Sequence, residues 1–365
     1  MTRRRLRIGV VGAGNASSHH LAGWRRLPGC DVVHIVDAVP ERAERRAREY
    51  GVPRSGGNVH ELVDSGAVDA LDVITPAHAH AEIVEHALAS GIHVLCQKPV
   101  ADTREDIARI YDAAVAGPGR LMIHENWRYR SWFRELRRRI DGDELGTVFH
   151  LSSSARFAGT VTTPQHPDTP FSLARQPFFA EMDRFLILES VIHQLDVTRY
   201  LLGEPDVLYA RAHRVSDRVR GEDVATVVLG YPGATAVVDR SYASKGREDP
   251  PLLSESVVVE GTAGTAFVSA SGELRIVTED SATRRVDVVP PEADPYVASY
   301  ARAIRAFARG IITGAPFETD IYDNLSTMRL VLAAYESVDS GRTLGRAEID
   351  ATIPVGVRAT GRVTP

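Results

Sequence analysis

A short apolar strand that runs straight into a glycine turn constrains this chain more than any other feature. Ile8-Gly9-Val10-Val11 leads into Gly12-Ala13-Gly14-Asn15-Ala16-Ser17, and helical spacing follows from Ala16 to Leu27. The alternation then repeats. Apolar strands are expected at Val32 to Val36, Ala70 to Ile74, Val94 to Cys96 and Leu121 to His124. Helical spacing fills the gaps at Pro40 to Tyr50, Ala79 to Ala89 and Arg104 to Ala116, with Gly91 as a helix stop. Continuous apolar strands joined by helices imply a parallel sheet covered on both faces.

After Trp132 the pattern changes. Val148 to Phe157 reads as a strand, Thr160 to Phe179 as a long loop rich in Pro, Thr and aromatics, and Leu188 to Leu202 as a helix. Short strands then follow at Val207 to Val215, Val224 to Gly230, Ala234 to Arg240, Ser256 to Gly261, Thr265 to Val268 and Leu274 to Thr278. Turn residues between them imply an antiparallel sheet. Helices return at Tyr296 to Arg309 and Ile321 to Ser340. The expectation is an α/β chain: a Rossmann domain over 1–125, an α+β domain with an open, mostly antiparallel sheet over 126–345, and a tail over 346–365. A length of 365 residues suits two such domains.

Composition narrows the class. A net charge of −5, with 25% charged and 44% hydrophobic residues, is that of a soluble globular protein with no nucleic-acid partner. The basic runs Arg3-Arg4-Arg5 and Arg137-Arg138-Arg139 are read as solvated surface. No apolar run is long enough to span a membrane. Cys30 and Cys96 lack the paired spacing of a zinc site, and no metal is expected. With no secretory signal visible, a cytoplasmic location is expected.

The glycine turn has the context of a dinucleotide-binding fingerprint. Gly12 permits the tight turn, Gly14 lets a pyrophosphate approach the backbone, and the helix N-terminus offers free N–H donors. Ser17 stands where the pattern usually has a third glycine. Ala13 and Asn15 complete the loop. Asp37, at the end of the second strand, suits an adenine-ribose diol and repels a 2′-phosphate, favouring NAD over NADP. Arg42 has three readings: a 2′-phosphate contact, a stacking partner for adenine, or a solvated helix residue.

Thr75-Pro76 with His80, the strand end Cys96-Gln97-Lys98-Pro99, and the helix Glu189-Ser190-Val191-Ile192-His193-Gln194-Leu195-Asp196 resemble the glucose-fructose oxidoreductase/inositol dehydrogenase (Gfo/Idh/MocA) family. The resemblance spans essentially the whole chain. It implies hydride transfer between NAD(P) and a sugar-like alcohol or ketone, with a homo-oligomer, dimer or tetramer, assembled through the open sheet. The family's lysine and histidine carry over onto Lys98 and His193, and its aspartate onto Glu189. Thr75, Pro76, His80, Gln97, Lys98 and Asn126 are then expected at the cofactor. Lys98, His124, Arg128, Arg175, Glu189 and His193 are expected at the substrate. Gln97 replaces the family's glutamate, and the missing counter-charge predicts a lowered Lys98 pKa. A narrower resemblance is to the D-apiose dehydrogenase branch, carried by His124-Glu125-Asn126-Trp127-Arg128, Gly221-Glu222-Asp223-Val224-Ala225-Thr226 and Asp323-Asn324-Leu325.

The chemistry supports the same roles. Oxidising an alcohol needs a hydride acceptor and a base for the hydroxyl proton, and histidine or a buried lysine serves near neutral pH. Lysine also stabilises alkoxide charge. Glu189, His193 and Asp196 at i, i+4 and i+7 share one helix face. His193 is therefore read as general base, Lys98 as proton relay or alkoxide stabiliser, and Glu189 as substrate anchor. Three alternatives remain at this stage: glycoside cleavage by transient oxidation and elimination, keto-sugar reduction in secondary metabolism, and a non-catalytic redox-sensing or scaffold role.

Overall fold

The computed structural model describes residues 5–245, 255–279 and 283–355. Arg3 and Arg4 of the N-terminal basic run, and the stretch of the expected tail beyond Val355, lie outside the described residues. Arg137, Arg138 and Arg139 sit on a helix surface, paired with Asp141, Glu135 and Glu144.

The first half holds β1 (Leu6–Val11), α1 (Ser17–Arg25), β2 (Cys30–Val36), α2 (Pro40–Tyr50), β3 (Ser55–Gly56), α3 (Val59–Asp64), β4 (Ala70–Val73), α4 (His80–Ala89), β5 (His93–Gln97), α5 (Arg104–Ala116) and β6 (Leu121–His124). All six strands pair in parallel, in the order β3-β2-β1-β4-β5-β6. Ile8, Val10, Ile35, Leu71, Val73, Val94 and Leu95 are almost wholly buried. Helices on both faces explain why these strands read as unbroken apolar runs. Strand order reverses direction between β1 and β4, which opens a crevice at the carboxyl ends of those strands. Thr103 caps α5 by accepting from the Asp106 N–H.

The second half holds α6 (Ser131–Asp141), β7 (Val148–Arg156), α7 (Phe171–Arg175), α8 (Ile192–Leu202), β8 (Val207–His213), β9 (Val224–Tyr231), β10 (Ala234–Ser241), β11 (Glu255–Gly261), β12 (Gly264–Val268), β13 (Leu274–Glu279), β14 (Arg284–Val289), α9 (Pro295–Thr313), α10 (Ile321–Ser340), β15 (Leu344–Gly345) and α11 (Arg346–Ala351). Nine strands form one sheet, β14-β13-β12-β11-β7-β10-β9-β8-β15. Among the described residues of this sheet, only β7 and β10 pair in parallel. The inner face, with Ala210, Val227, Val238 and Val257, is buried, and α8 and α10 pack against this sheet. The outer face carries Tyr209, Val228, Val237, Ser152, Val258 and Phe267 as one cross-strand row.

Several segments differ from the sequence expectation. Thr160 to Phe179 is not a bare loop: it contains α7 and leads into a 3-10 turn at Pro177–Glu181. A π-helical turn, Ile187–Val191, precedes α8. The expected tail begins with α11, whose Ile349 is buried beside α10. The last long helices divide between the halves. α10 packs on the second sheet, whereas α9 returns to lie along α1. Gly23 allows that approach, since a Cβ there would stand 2.6 Å from Ile304 Cδ1. Among the described residues no helix is long and apolar enough to cross a membrane.

Candidate active site

A cleft of about 980 Å³ lies at the switch between β1 and β4, closed on its far side by the second half. That is the upper end of the range for small-molecule and cofactor sites, roughly 300–1,000 Å³. On one wall stand Gly12, Ala13, Gly14, Asn15, Asp37 and Arg42, followed by Thr75 and Pro76 beyond β4. Gly12 has φ +102°, and a Cβ there would press within 2.9 Å of the Ile74 carbonyl. A Cβ on Gly14 would meet nothing within 4 Å, so the backbone there faces open space. Asp37 closes the turn by accepting from the Ala13 N–H at 2.7 Å and the Val39 N–H at 2.9 Å. The Thr75 hydroxyl lines the cleft but is buried without a hydrogen-bond partner among the described residues. An open glycine cradle, a carboxylate at the ribose end of β2 and an orphaned hydroxyl fit a dinucleotide.

The opposite wall brings Lys98, Glu189 and His193 together from two halves of the chain. Lys98 follows β5, joined to Pro99 by a cis peptide. Its Nζ donates to Glu189 Oε2 at 2.7 Å and to the Glu189 carbonyl at 2.8 Å. Both side chains are largely buried. Burial works to lower the ammonium pKa, but Glu189 and, behind it, Glu125 outweigh it, and the net shift is upward. Lys98 therefore stays charged, which corrects the lowered pKa expected from Gln97. The counter-charge absent at position 97 is supplied by Glu189.

His193 lines the cleft from α8 with its Nδ1 against Glu125 Oε1. Trp127 stacks on the imidazole, centroids 4.0 Å apart and planes at 13°. Burial first, then Lys98, Arg130 and Arg240, push the imidazole well below its ordinary pKa, with Glu189 opposing. A neutral imidazole beside a charged lysine is an arrangement for taking a proton from one oxygen atom while hydrogen-bonding it.

Comparison with known proteins agrees with this geometry. Residues 6–124 match a family model described as "Oxidoreductase family, NAD-binding Rossmann fold", and residues 133–267 match the GFO/IDH/MocA C-terminal domain. The chain belongs to the GFO/IDH/MocA family. It is 32% identical over 362 residues to a D-apiose dehydrogenase from Paraburkholderia graminis, covering 97% of this chain and 93% of that one. It is 24% identical over 351 residues to a myo-inositol 2-dehydrogenase from Thermotoga maritima, covering 94% and 99%. An oxidoreductase from Agrobacterium radiobacter, solved in complex with NAD+, L-tartaric acid and magnesium, superposes with a TM-score of 0.86 at 28% identity, covering 95% of this chain and 99% of that one. The protein is thus a GFO/IDH/MocA oxidoreductase with an NAD-binding Rossmann domain.

Within this GFO/IDH/MocA chain, Gln97, Asn126 and Arg175 also line the cleft. Asn126 donates to Ser299 Oγ at 2.8 Å, tying it to α9. Arg175 stands over Phe171. Three expected ligand contacts do not reach the cleft. His80 is buried between the carbonyls of Thr75 and Val100, at 2.9 and 3.1 Å, and shapes the loop from behind. His124 packs under the wall against His20 and Tyr300. Arg128 turns away from the cleft to pair with Asp196 and Asp323. Asp196 lies on the predicted helix face, but seven residues place it about 10 Å further along the axis, below the cleft.

Residues that the sequence reading passed over complete the wall. Trp127 lines the cleft and Glu125 lies buried behind His193, both inside a stretch whose expected contacts were His124, Asn126 and Arg128. Their signal was position, since ligands bind at strand carboxyl ends. Arg240 on β10 donates to Glu255 on β11 and to Gln194 on α8, each at 3.1 Å. Tyr242, Tyr296 and Tyr300 also face the cleft. Nothing local marks these residues; only sheet register and the return of α9 bring them there.

Proposed function

We propose that this oxidoreductase oxidises a secondary alcohol or an anomeric carbon of a sugar or cyclitol. The observation that carries the reading is the pairing, across one cleft, of a charged Lys98 with a neutral His193 opposite a dinucleotide cradle. The glycine turn, Asp37 and Thr75 would hold NAD, which would supply the hydride acceptor for the substrate carbon and, in the reverse direction, the donor. His193 accepts the hydroxyl proton. Lys98 donates to the oxygen as its charge develops, a stabilising role rather than a relay, because its ammonium is anchored by Glu189. Glu189 holds Lys98 in place and offers its second oxygen to a neighbouring substrate hydroxyl. Tyr296, Gln176 and Arg175 line the same cleft. The D-apiose dehydrogenase relatives favour a lactol-forming pentose as the first substrate to try.

An NAD-reduction screen across aldoses, apiose and inositols tests this reading. Lys98→Ala and His193→Ala are expected to lower kcat by about 10²–10⁴ while NADH binding persists. Absence of NAD reduction with every polyol, or variants that keep full activity, would sink it. Product formed without net NADH would favour transient oxidation and elimination instead.

The outer face of the nine-stranded sheet supports self-assembly into a homo-oligomer. Among the described residues, its row of Tyr209, Val228, Val237, Val258 and Phe267 is only partly buried, and Phe149 is 45% exposed. Light scattering on the wild type and on Val258→Glu checks this: a monomeric wild type would refute it. The buried free thiols of Cys30 and Cys96 suit a reducing cytoplasm, which cell fractionation would test.

A further inference from the structure

Glu125 follows β6 by one residue and is fully buried. One carboxyl oxygen meets His193 Nδ1. The other is buried without a hydrogen-bond partner among the described residues. Keeping a half-satisfied carboxyl inside a protein is costly, so its position calls for a reason. The imidazole it touches is held on its flat side as well. Trp127 stacks on that ring, its own Nε1 donates to Glu255 Oε2 at 3.2 Å, and the Arg130 guanidinium lies 3.4 Å from the indole centroid. With Nδ1 occupied and the ring pinned, Nε2 is the one ring nitrogen left for a substrate.

We propose that Glu125 is the positioning residue that makes His193 a base: its carboxylate accepts the Nδ1 proton, directs the Nε2 lone pair at the substrate, and balances the imidazolium that forms. The inference rests on the alcohol-oxidation reading. In the forward step the substrate O–H bond breaks and an N–H bond forms at Nε2. The oxygen's electron pair becomes the new C=O bond as the C–H pair leaves to the nicotinamide. The reverse step returns the proton from Nε2. If Glu125 instead holds the proton, it donates to Nδ1, Nε2 carries hydrogen, and the base is lost.

The titratable and charged groups around the pair come from the neighbouring elements: Lys98 after β5, a neutral His124 on β6, Arg128 and Arg130 beyond it, Glu189 on the π turn, Asp196 on α8 and Arg240 on β10. Burial raises the Glu125 carboxyl to about 7, against the pull of Lys98, Arg128 and Arg130. The imidazole is held far lower. The switch between the two tautomers of His193 is therefore governed by Glu125, and loss of activity on acidification belongs to this carboxyl rather than to the imidazole.

The test uses the full chain with NADH bound. Histidine 15N NMR, with His193→Gln for assignment, reads the tautomer directly. The expected result is the Nδ1–H form above about pH 8, switching to Nε2–H on acidification. In Glu125→Gln that switch disappears. Its kcat for oxidation falls on the order of 10²-fold, its NADH affinity stays near wild type, and its acid limb near pH 7 flattens. Should Glu125→Gln fail to bind NADH, Glu125→Asp carries the test and must keep the acid limb at reduced kcat. An Nε2–H tautomer in the wild type above about pH 8 overturns the proposal. So does a Glu125→Gln enzyme with normal kcat and an intact limb, or a Glu125→Asp enzyme without one. If the wild type oxidises no sugar or cyclitol, the functional reading fails, while the tautomer still reports on Glu125.

Discussion

The amide of Gln97 shows how one atom exchange propagates through a buried network. Its Nε2 donates to His20 Nε2 at 2.8 Å, and its Oε1 accepts the Lys98 N–H at 2.9 Å. His20 Nδ1 faces Asp72 at 2.9 Å, and Trp24 donates to the same carboxylate oxygen at 2.6 Å. The imidazole therefore keeps its hydrogen on Nδ1 toward Asp72 and presents a lone pair to Gln97. Glutamate at 97, the family's usual residue, would set a lone pair against a lone pair unless it stayed protonated. Gln97→Glu is expected to destabilise the fold by about 1–3 kcal/mol at neutral pH. The sign follows from the carboxyl: held protonated in the fold, its pKa is raised. The cost is then absent below its unfolded value of about 4.3 and grows as pH rises above it. Thermal melts of both proteins across pH read this out, and a constant Tm difference would contradict it. The presence of Gln97 was plain in the sequence. Its donor role was not, because His20 stands 77 residues away.

At the scale of elements, the contact between α1 and α9 governs the cleft from a distance. α9 carries Tyr296 and Tyr300 into the cleft wall and Ser299 onto Asn126. α1 begins at the glycine turn. Gly23 lets the two helices touch, since its missing Cβ would fall 2.6 Å from Ile304 and 3.5 Å from the Ala301 backbone. Gly23→Ala should cost about 1–3 kcal/mol by overpacking, despite the better helix propensity of alanine. It should also raise the KM for NAD, because the wall shifts with the helix. A Tm equal to or above wild type would show that α9 yields freely. Both helices were legible as periodic segments. Their contact was not, because each has an apolar stripe that would serve equally well against another surface.

At the scale of the molecule, Arg128 ties the two halves together. It leaves β6 of the first sheet and pairs with Asp196 on α8 and Asp323 on α10, with all three side chains largely or wholly buried. Arg199 extends the cluster to Glu204 and Thr327. Removing one member of such a cluster leaves buried charges uncompensated, so Arg128→Ala is expected to cost about 3–5 kcal/mol. Chemical denaturation would measure this, and a loss below about 1 kcal/mol would place the cluster among surface-like pairs. NAD binding should weaken only through the fraction unfolded, since Arg128 does not line the cleft.

The sequence by itself determined the parallel first domain, the dinucleotide turn and the chemical identities of Lys98, Glu189 and His193. Each depends on neighbours within a few residues: strands buried on both faces must be apolar throughout, and a close phosphate approach needs glycine at a particular turn position. It also showed a lysine at a strand end beside an unusual glutamine, and from these predicted the wrong charge state. Charge is set by what lies opposite in space, and Glu189 arrives at Lys98 from 91 residues away. The same limit explains Arg128, His80 and His124, whose residue types suit a ligand but whose side chains answer to carboxylates, carbonyls and rings behind the wall. Only the tertiary structure decided which polar groups face the cleft and which hold it up. That choice depends on distances between elements, and no local pattern of residues encodes them.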